Sequence, residues 1–210
     1  MHPFELIYVD DGSDDDTAAA IARLTASHAW IRAFKHDRSC GQSAAQRTGI
    51  MNARAPVIVT IDGDGQNDPA DIVRLVEAMR ARPPGGGPAM VAGERRNRQD
   101  DLVKRLSSRV ANAVRRSLLS DGTSDIGCSL KAFDRAAYLG LPYFDNIHRF
   151  YPALMRREGH EVAFIAVGHR RRWGGRTKYG ILNRLGVGIV DLMGTRWLMR
   201  RRRLPQISES

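Results

Sequence analysis

Short apolar runs alternate with polar breaks along the first half of the chain. Phe4–Val9 (FELIYV), Trp30–Phe34 (WIRAF), Pro56–Ile61 (PVIVTI) and Ala89–Gly93 (AMVAG) are four such runs. Each is too short for a stable helix and is bounded by turn-forming residues, so each is predicted to be a strand. The segments between them read as helices: the Ala-rich Asp16–Ser27, capped by Ser13 or a neighbouring Asp, then Gly41–Arg54, then Asp68–Arg82 with Pro69 in its first turn. Residues 100–120 place Leu102, Leu106, Val110, Val114 and Leu118 on one helical stripe. Cys128–Phe133 and Glu161–Val167 are later strands. Strands alternating with helices predict an α/β fold, a mostly parallel sheet covered on both faces. Trp30, Phe34, Met51, Met79 and Met155 are expected to pack in its core.

Charge narrows the picture. The 210 residues carry 33 Lys and Arg against 23 Asp and Glu, a formal net charge of +10, which calls for an anionic partner. A nucleic-acid module would interleave aromatics with cations, but aromatics make up only 7% and no such platform is found. Cys40 and Cys128 give no disulfide framework, which fits a reducing compartment. Met1–Glu5 has no basic region followed by an apolar run, so no signal peptide is expected. Ile181–Met199 is apolar but broken by Arg184, Asp191 and Arg196, so a membrane span is not expected either.

Two acidic stretches stand out. Asp10 and Asp11 end the first predicted strand, and Asp62 and Asp64 end the third. Ligands of parallel sheets bind beyond the carboxyl ends of the strands. Carboxylates gathered there repel unless a cation sits among them, and hard oxygen ligands favour Mg²⁺ or Mn²⁺. An EF-hand fails, because Asn67 stands where that loop needs Gly and Val73 where it needs Glu. Arg82–Pro88 is not a phosphate loop, since no Gly-Lys-Ser/Thr follows its glycines. A dinucleotide Gly fingerprint is absent after the first strand.

Five segments occur in order over residues 4–180: IYVDDGSDDDT, TIDGDGQNDPADI, SDIGCSLKAFDR, HRFYPALMRREGHEV and HRRRWGGRTKYG. Together they resemble glycosyltransferase family 2, in its dolichol-phosphate mannose synthase-like branch. The resemblance implies a GT-A fold over residues 1–180, a nucleotide-sugar donor such as GDP-mannose or a UDP-sugar, a divalent metal and a polyprenyl phosphate acceptor. It implies that Asp10 and Asp11 contact the donor nucleoside, that Asp62, Asp64 and Gln66 hold the metal, and that Arg95 faces donor phosphate. It places Arg105 and Ser108 on the acceptor phosphate, Asp125 and Arg149 near the acceptor, and Arg176 and Lys178 in a loop closing on the donor diphosphate. Asp64, Arg176 and Lys178 are thus the catalytic candidates. The family normally begins with an earlier strand ending in a Pro-x-Tyr-Asn-Glu-like motif, and this chain starts after it. A gap beside the nucleotide site is therefore expected.

Transfer to a prenyl phosphate needs no strong general base, because the nucleophile is already ionised. The work falls on positioning and on stabilising the leaving diphosphate, and in-line displacement would invert the anomeric centre. Residues 181–210 read as a membrane-surface appendage: Leu182, Leu185, Ile189 and Met193 share one face, Arg184 and Asp191 lie opposite, and Arg200–Arg203 follow. This predicts a peripheral protein at the cytoplasmic face of a membrane, or a cytoplasmic one. Transfer to a saccharide or other cell-envelope acceptor, and an inactive truncated relative, are the alternatives. The sequence fixes neither the sugar nor the oligomeric state.

Overall fold

The computed structural model describes residues 4–81, 87–95, 115–123, 125–170 and 181–202, with the backbone alone for 181–185. Its elements follow the predicted order: β1 (Leu6–Asp10), α1 (Thr17–Ser27), β2 (Ile31–Lys35), α2 (Gln42–Asn52), β3 (Val57–Thr60), α3 (Ala70–Arg80) and β4 (Met90–Arg95). Then come β5 (Lys131–Asp134), α4 (Arg135–Leu139), a 3₁₀ turn (Ile147–Arg149), α5 (Tyr151–Arg157), β6 (Val162–Val167) and α6 (Ile181–Arg200). Helical residues 115–119 are described, but most of the predicted helix at 100–120 lies outside the described residues.

The strands form two sheets, β1–β2 and β3–β5–β4–β6. β1 and β2 are parallel, as are β4 and β6. β5 departs from the expected pattern, running antiparallel to both β3 and β4. The reason is local. Asp125 bonds Arg95 at the end of β4, and Ser129 bonds Asn67 beyond β3. The strand that follows therefore starts at the edge where its neighbours stop, and must run back against them. The larger sheet buries both faces, as the period-two alternation of strands requires. Leu75 and Met79 of α3 pack with Val91, Leu130, Ala132 and Val167 on one side. Met90, Ala92 and Phe133 face Tyr138, Phe150, Tyr151, Leu154 and Met155 on the other.

The β1–β2 half is thinner. α1 buries none of its residues fully. Trp30, expected in the core, is instead 41% exposed, with its ring beside Phe4 and His28. Met51 is exposed too, because its position on α2 points away from the larger sheet. Met79 and Met155 are buried as expected.

Between β1 and β3 lies a cavity of about 310 Å³, lined by Ile7, Val9, Val57 and Val59, with Gln46, Gly49 and Ile50 of α2 along it. Its walls are backbone edges. The Leu6 N–H donates to Trp30 and the Asp10 carbonyl accepts from His36, so alternate residues Leu6, Tyr8 and Asp10 face β2. Ile7 and Val9 therefore turn their N–H and C=O groups into the gap. The Pro56 carbonyl accepts from Arg135, so Ile58 and Thr60 face β5 while Val57 and Val59 face the gap. The two edges run the same way, because both strands end at the N-terminus of α2. Among the described residues β1 and β3 do not pair, and the space between the two acidic strand ends is bounded by these two edges.

One buried ion pair supports the far end of the larger core. Arg115 bonds Asp121 beneath Phe150 and also donates to the Arg149 carbonyl. Burial pushes the Asp121 carboxyl up, against the pull of Arg115. Asp121→Ala would leave the guanidinium buried without its carboxylate. It should cost about 3–5 kcal/mol in a urea-unfolding experiment. Hydrogen exchange should read the gap: amides of Ile7, Val9, Val57 and Val59 should exchange well before those of Leu6, Tyr8, Ile58 and Thr60.

Candidate active site

The first acidic end is saturated with donors. Gly41 takes φ +90°, which turns its N–H and that of Cys40 onto Asp11, at 2.7 and 2.9 Å. Ser39 Oγ at 3.0 Å and His36 Nδ1 at 2.7 Å complete the set. Burial alone would raise the Asp11 carboxyl, but these bonds outweigh it and hold it below the ordinary carboxylate value. Cys40 brings a third ligand-type atom within 4.8 Å of Asp11 and His36, although the Asp11 oxygens are already engaged. Asp10 is buried and accepts from the Ser13 N–H at 2.9 Å, which with the Ser13 hydroxyl holds it low as well.

The second acidic end is of opposite character. Asp62, just past β3, is half-buried, and burial, with the neighbouring Asp64 charge, pushes its carboxyl up. Ser129, Lys131 and Gln42 pull the other way without overcoming this. Gln42 Nε2 donates to Asp62 at 2.8 Å, and Asn67 links Ser129 to the Asp62 N–H. Asp64 accepts from the Gln66 N–H at 3.1 Å, which turns the loop so that both carboxylates and Gln66 lie at one edge. The Gln66 amide reaches His169 Nε2 at 3.4 Å, and its carbonyl accepts from the Arg170 N–H. Arg170 in turn pairs with Asp68 at 2.6 Å, and Asp71 accepts from the Gly168 N–H. The segment Gly168–Arg170 is thus fastened to the acidic loop. Oxygen donors gathered at one loop, with burial disfavouring the charge of Asp62, fit a divalent cation well.

Not every predicted residue stands apart as a ligand contact. Arg95 and Asp125, expected on donor phosphate and acceptor respectively, form a bidentate pair with each other, at 2.6 and 2.7 Å. The Arg95 guanidinium occupies the space a Cβ would need at Gly127. Arg149 closes the 3₁₀ turn, where its charge bears on His148 and on Asp191 of α6. His148 bonds Ser43 Oγ at 2.8 Å, and burial, then Arg149 and Lys131, drive it down to about 3, so it stays neutral. Arg105, Ser108, Arg176 and Lys178 lie outside the described residues.

Several site residues escaped the sequence reading. Gln42, His36 and Ser129 carry no motif of their own, because only the fold brings them to the acids. Lys131 did carry a signal: it is the lone cation in the otherwise apolar stretch CSLKAF. Helix α2 joins the two ends, since its N-terminal loop holds Asp11 while its first residue, Gln42, holds Asp62.

Helix α6 docks with one stripe and exposes another. Leu192, Leu198 and Met199 pack on the core, and Thr195 is wholly buried. Asp191, on the same inner stripe, bonds Asn146, while its Oδ2 is buried without a hydrogen-bond partner. Val187, Ile189, Val190, Met193 and Trp197 face outward. Arg157 donates to the Leu198 carbonyl, and Arg202 pairs with Glu158 at 2.7 Å, fixing the end of the helix. Among the described residues, no helix is long and apolar enough to cross a membrane.

The chain is similar to several known proteins. The chain is 34% identical over 208 residues to dodecaprenyl-phosphate galacturonate synthase of Rhizobium johnstonii, covering 97% of this chain and 60% of that one. It is 32% identical over 192 residues to undecaprenyl-phosphate 4-deoxy-4-formamido-L-arabinose transferase of Pectobacterium carotovorum, covering 91% and 57%. The chain thus spans somewhat over half the length of these curated relatives. Its fold matches glucosyl-3-phosphoglycerate synthase of Mycobacterium tuberculosis in complex with Mn²⁺, UDP and glucosyl-3-phosphoglycerate. That match has a TM-score of 0.66 at 19% identity, over 93% of this chain and 68% of that one. The same enzyme with Mg²⁺ and UDP matches at a TM-score of 0.65 and 20% identity. The family model "Glycosyl transferase family 2" matches residues 2–140, and the chain belongs to that family.

Proposed function

We propose that this chain is the catalytic part of an inverting glycosyltransferase that moves a sugar from a nucleotide-sugar donor to a polyprenyl phosphate at a membrane surface. The observation that carries the reading is the Asp62–Asp64 edge, where burial and the neighbouring Asp64 charge push the Asp62 carboxyl up. Asp62, Asp64 and Gln66 would hold Mg²⁺ or Mn²⁺, which when bound neutralises the donor diphosphate as a Lewis acid. Asp10, held ionised at the neighbouring strand end with its Oδ2 short of a hydrogen-bond partner, is the acid assigned to ribose or base donors, while Asp11, its oxygens already engaged, shapes the loop beside it. Gln66, His169 and Arg170 tether the entry to the basic loop beside this edge, so Arg176 and Lys178 are assigned to the leaving diphosphate.

The acceptor follows from chemistry and kinship. A saccharide hydroxyl would need a carboxylate base, and the candidate, Asp125, is clamped by both nitrogens of the Arg95 fork. A phosphate nucleophile needs none. Relatives 34% and 32% identical are named for dodecaprenyl-phosphate and undecaprenyl-phosphate, which supports the same acceptor class here. The outward stripe of α6 supports a peripheral seat on the membrane. Ile189, Val190, Met193 and Trp197 would dip into the interface while the exposed Arg200 and Arg201 meet anionic headgroups. Asp191 faces the domain rather than lipid, so shallow insertion does not bury it in hydrocarbon.

Calorimetry tests the donor site. UDP or GDP should bind more tightly with Mn²⁺ than with chelator. Losing even an outer partner of a metal ligand costs about tenfold in affinity, so Asp64→Ala should cost at least that. Equal binding with and without metal would remove the assignment. Liposome flotation tests the membrane seat. Arg200 and Arg201 should each add about 1 kcal/mol of attraction to anionic lipid. Binding should therefore fall in high salt, and fall further when Trp197 and Met193 are both changed to Ser. Failure to float with anionic vesicles would show α6 to be a docked helix only.

A further inference from the structure

Three ligand-type side chains of different chemistry converge just past the end of β1. Asp11, His36 and Cys40 offer an oxygen, a nitrogen and a sulfur that lie within 4.8 Å of one another. The fold assembles them. β1 and β2 pair in parallel up to Asp10 and Lys35, so Asp11 and His36 leave the same edge side by side. The turn after β2 then brings Cys40 back, and its N–H reaches Asp11 Oδ1 at 2.9 Å. Asp11 and His36 are half-buried, while Cys40 is a free cysteine on the exposed side.

The surroundings are those of a held ligand set. His36 Nδ1 lies 2.7 Å from Asp11 Oδ1, and Nε2, its other nitrogen, lies 2.9 Å from Thr48 Oγ1 of α2. A histidine that binds a metal is oriented in this way, by a hydrogen bond at the nitrogen that does not bind. Asp11 Oδ2 accepts from Ser39 Oγ and from the Gly41 N–H, which fixes the carboxylate and keeps Oδ1 toward His36.

The dimensions suit a small tetrahedral ion. Zn²⁺, with bonds of about 2.0–2.3 Å, holds its ligand atoms about 3.3–3.7 Å apart. The Asp11–His36 pair would open by roughly 0.6 Å to admit it, and Cys40, exposed on its loop, has room to close. The metal takes the place of the proton that links Asp11 and His36. The single proton of the neutral imidazole then lies on Nε2 and is donated to Thr48 Oγ1, and the thiol proton of Cys40 is released to solvent. Water fills the fourth position. Thiolate and imidazole favour Zn²⁺ over Mg²⁺ and Mn²⁺, which prefer oxygen.

We infer that Asp11, His36 and Cys40 form a site for a thiophilic divalent cation such as Zn²⁺, different in chemistry from the oxygen donors of the Asp62–Asp64 edge. The bound ion fastens the end of β1 to the loop that begins α2. The inference does not depend on Asp62 and Asp64 holding a metal.

The test uses Co²⁺ as a probe for Zn²⁺. A bound thiolate gives Co²⁺ a charge-transfer band in the near ultraviolet, and a tetrahedral site gives it intense visible bands. Titrated into the whole chain with its cysteines reduced, Co²⁺ should develop both, and Zn²⁺ should displace it while Mg²⁺ and Mn²⁺ should not. Cys40→Ser should lose the thiolate band. His36→Gln should weaken Co²⁺ at least tenfold, and Thr48→Val, which removes only the bond at Nε2, about tenfold. Asp64→Ala should keep the bands of the unaltered protein. A missing thiolate band, a band that persists in Cys40→Ser or one lost in a folded Asp64→Ala would overturn the inference. So would unchanged Co²⁺ affinity in a folded His36→Gln. Should that variant not fold, Thr48→Val decides, and unchanged affinity there would leave Cys40 a lone surface thiol.

Discussion

Carboxylates crowded at one edge of a sheet must each be neutralised, and the means of neutralisation differ from residue to residue. Asp11 is surrounded by two backbone N–H groups, a hydroxyl and an imidazole, and its carboxyl is held low. Asp125 is gripped by Arg95, and Asp68 by Arg170. Asp62 is pushed the other way by burial and by Asp64. The contrast separates acids that already have their partners from the one whose environment asks for more positive charge.

The antiparallel strand β5 is what makes this edge dense. A parallel strand in its place would have carried its first residues to the opposite edge of the sheet. Because β5 starts beside the ends of β3 and β4, its leading turn delivers Asp125, Gly127, Cys128 and Ser129 to the acidic loop, and its first residue delivers Lys131. The buried thiol of Cys128, pushed up by burial, is packing here and not chemistry.

The order of the elements and the two acidic strand ends were legible in the sequence because both are local. Apolar runs four to six residues long, broken by Gly, Asp and Pro, mark strands wherever they occur. The reversal of β5 was not legible, because direction within a sheet depends on where the preceding loop is fastened. Trp30 was misplaced for a related reason: aromaticity signals burial only where a second layer exists to bury against, and the β1–β2 half is thinly covered. The pairing of Arg95 with Asp125 joins residues thirty apart in sequence, and nothing in either motif announces it. The same holds for α6, whose wheel shows where the apolar side chains are but not which stripe the domain takes for itself.

Helix α2 behaves as a lever. Its C-terminal end is pinned, with Arg135 on the carbonyls of Ile50 and Met51 and Arg32 on that of Asn52. Its other end, held by Ser43 on His148, carries the groups that hold Asp11 and Asp62. Eleven residues make an arm of about 16 Å at 1.5 Å per residue, so a tilt of about 2° at the pinned end swings the tip by about 0.5 Å. That is roughly the whole tolerance of a catalytic constellation. Gln46, Gly49, Ile50 and Ala53 of this arm line the cavity between β1 and β3. Packing in that cavity therefore bears on the position of the arm, and through it on the separation of Asp11 and Asp62.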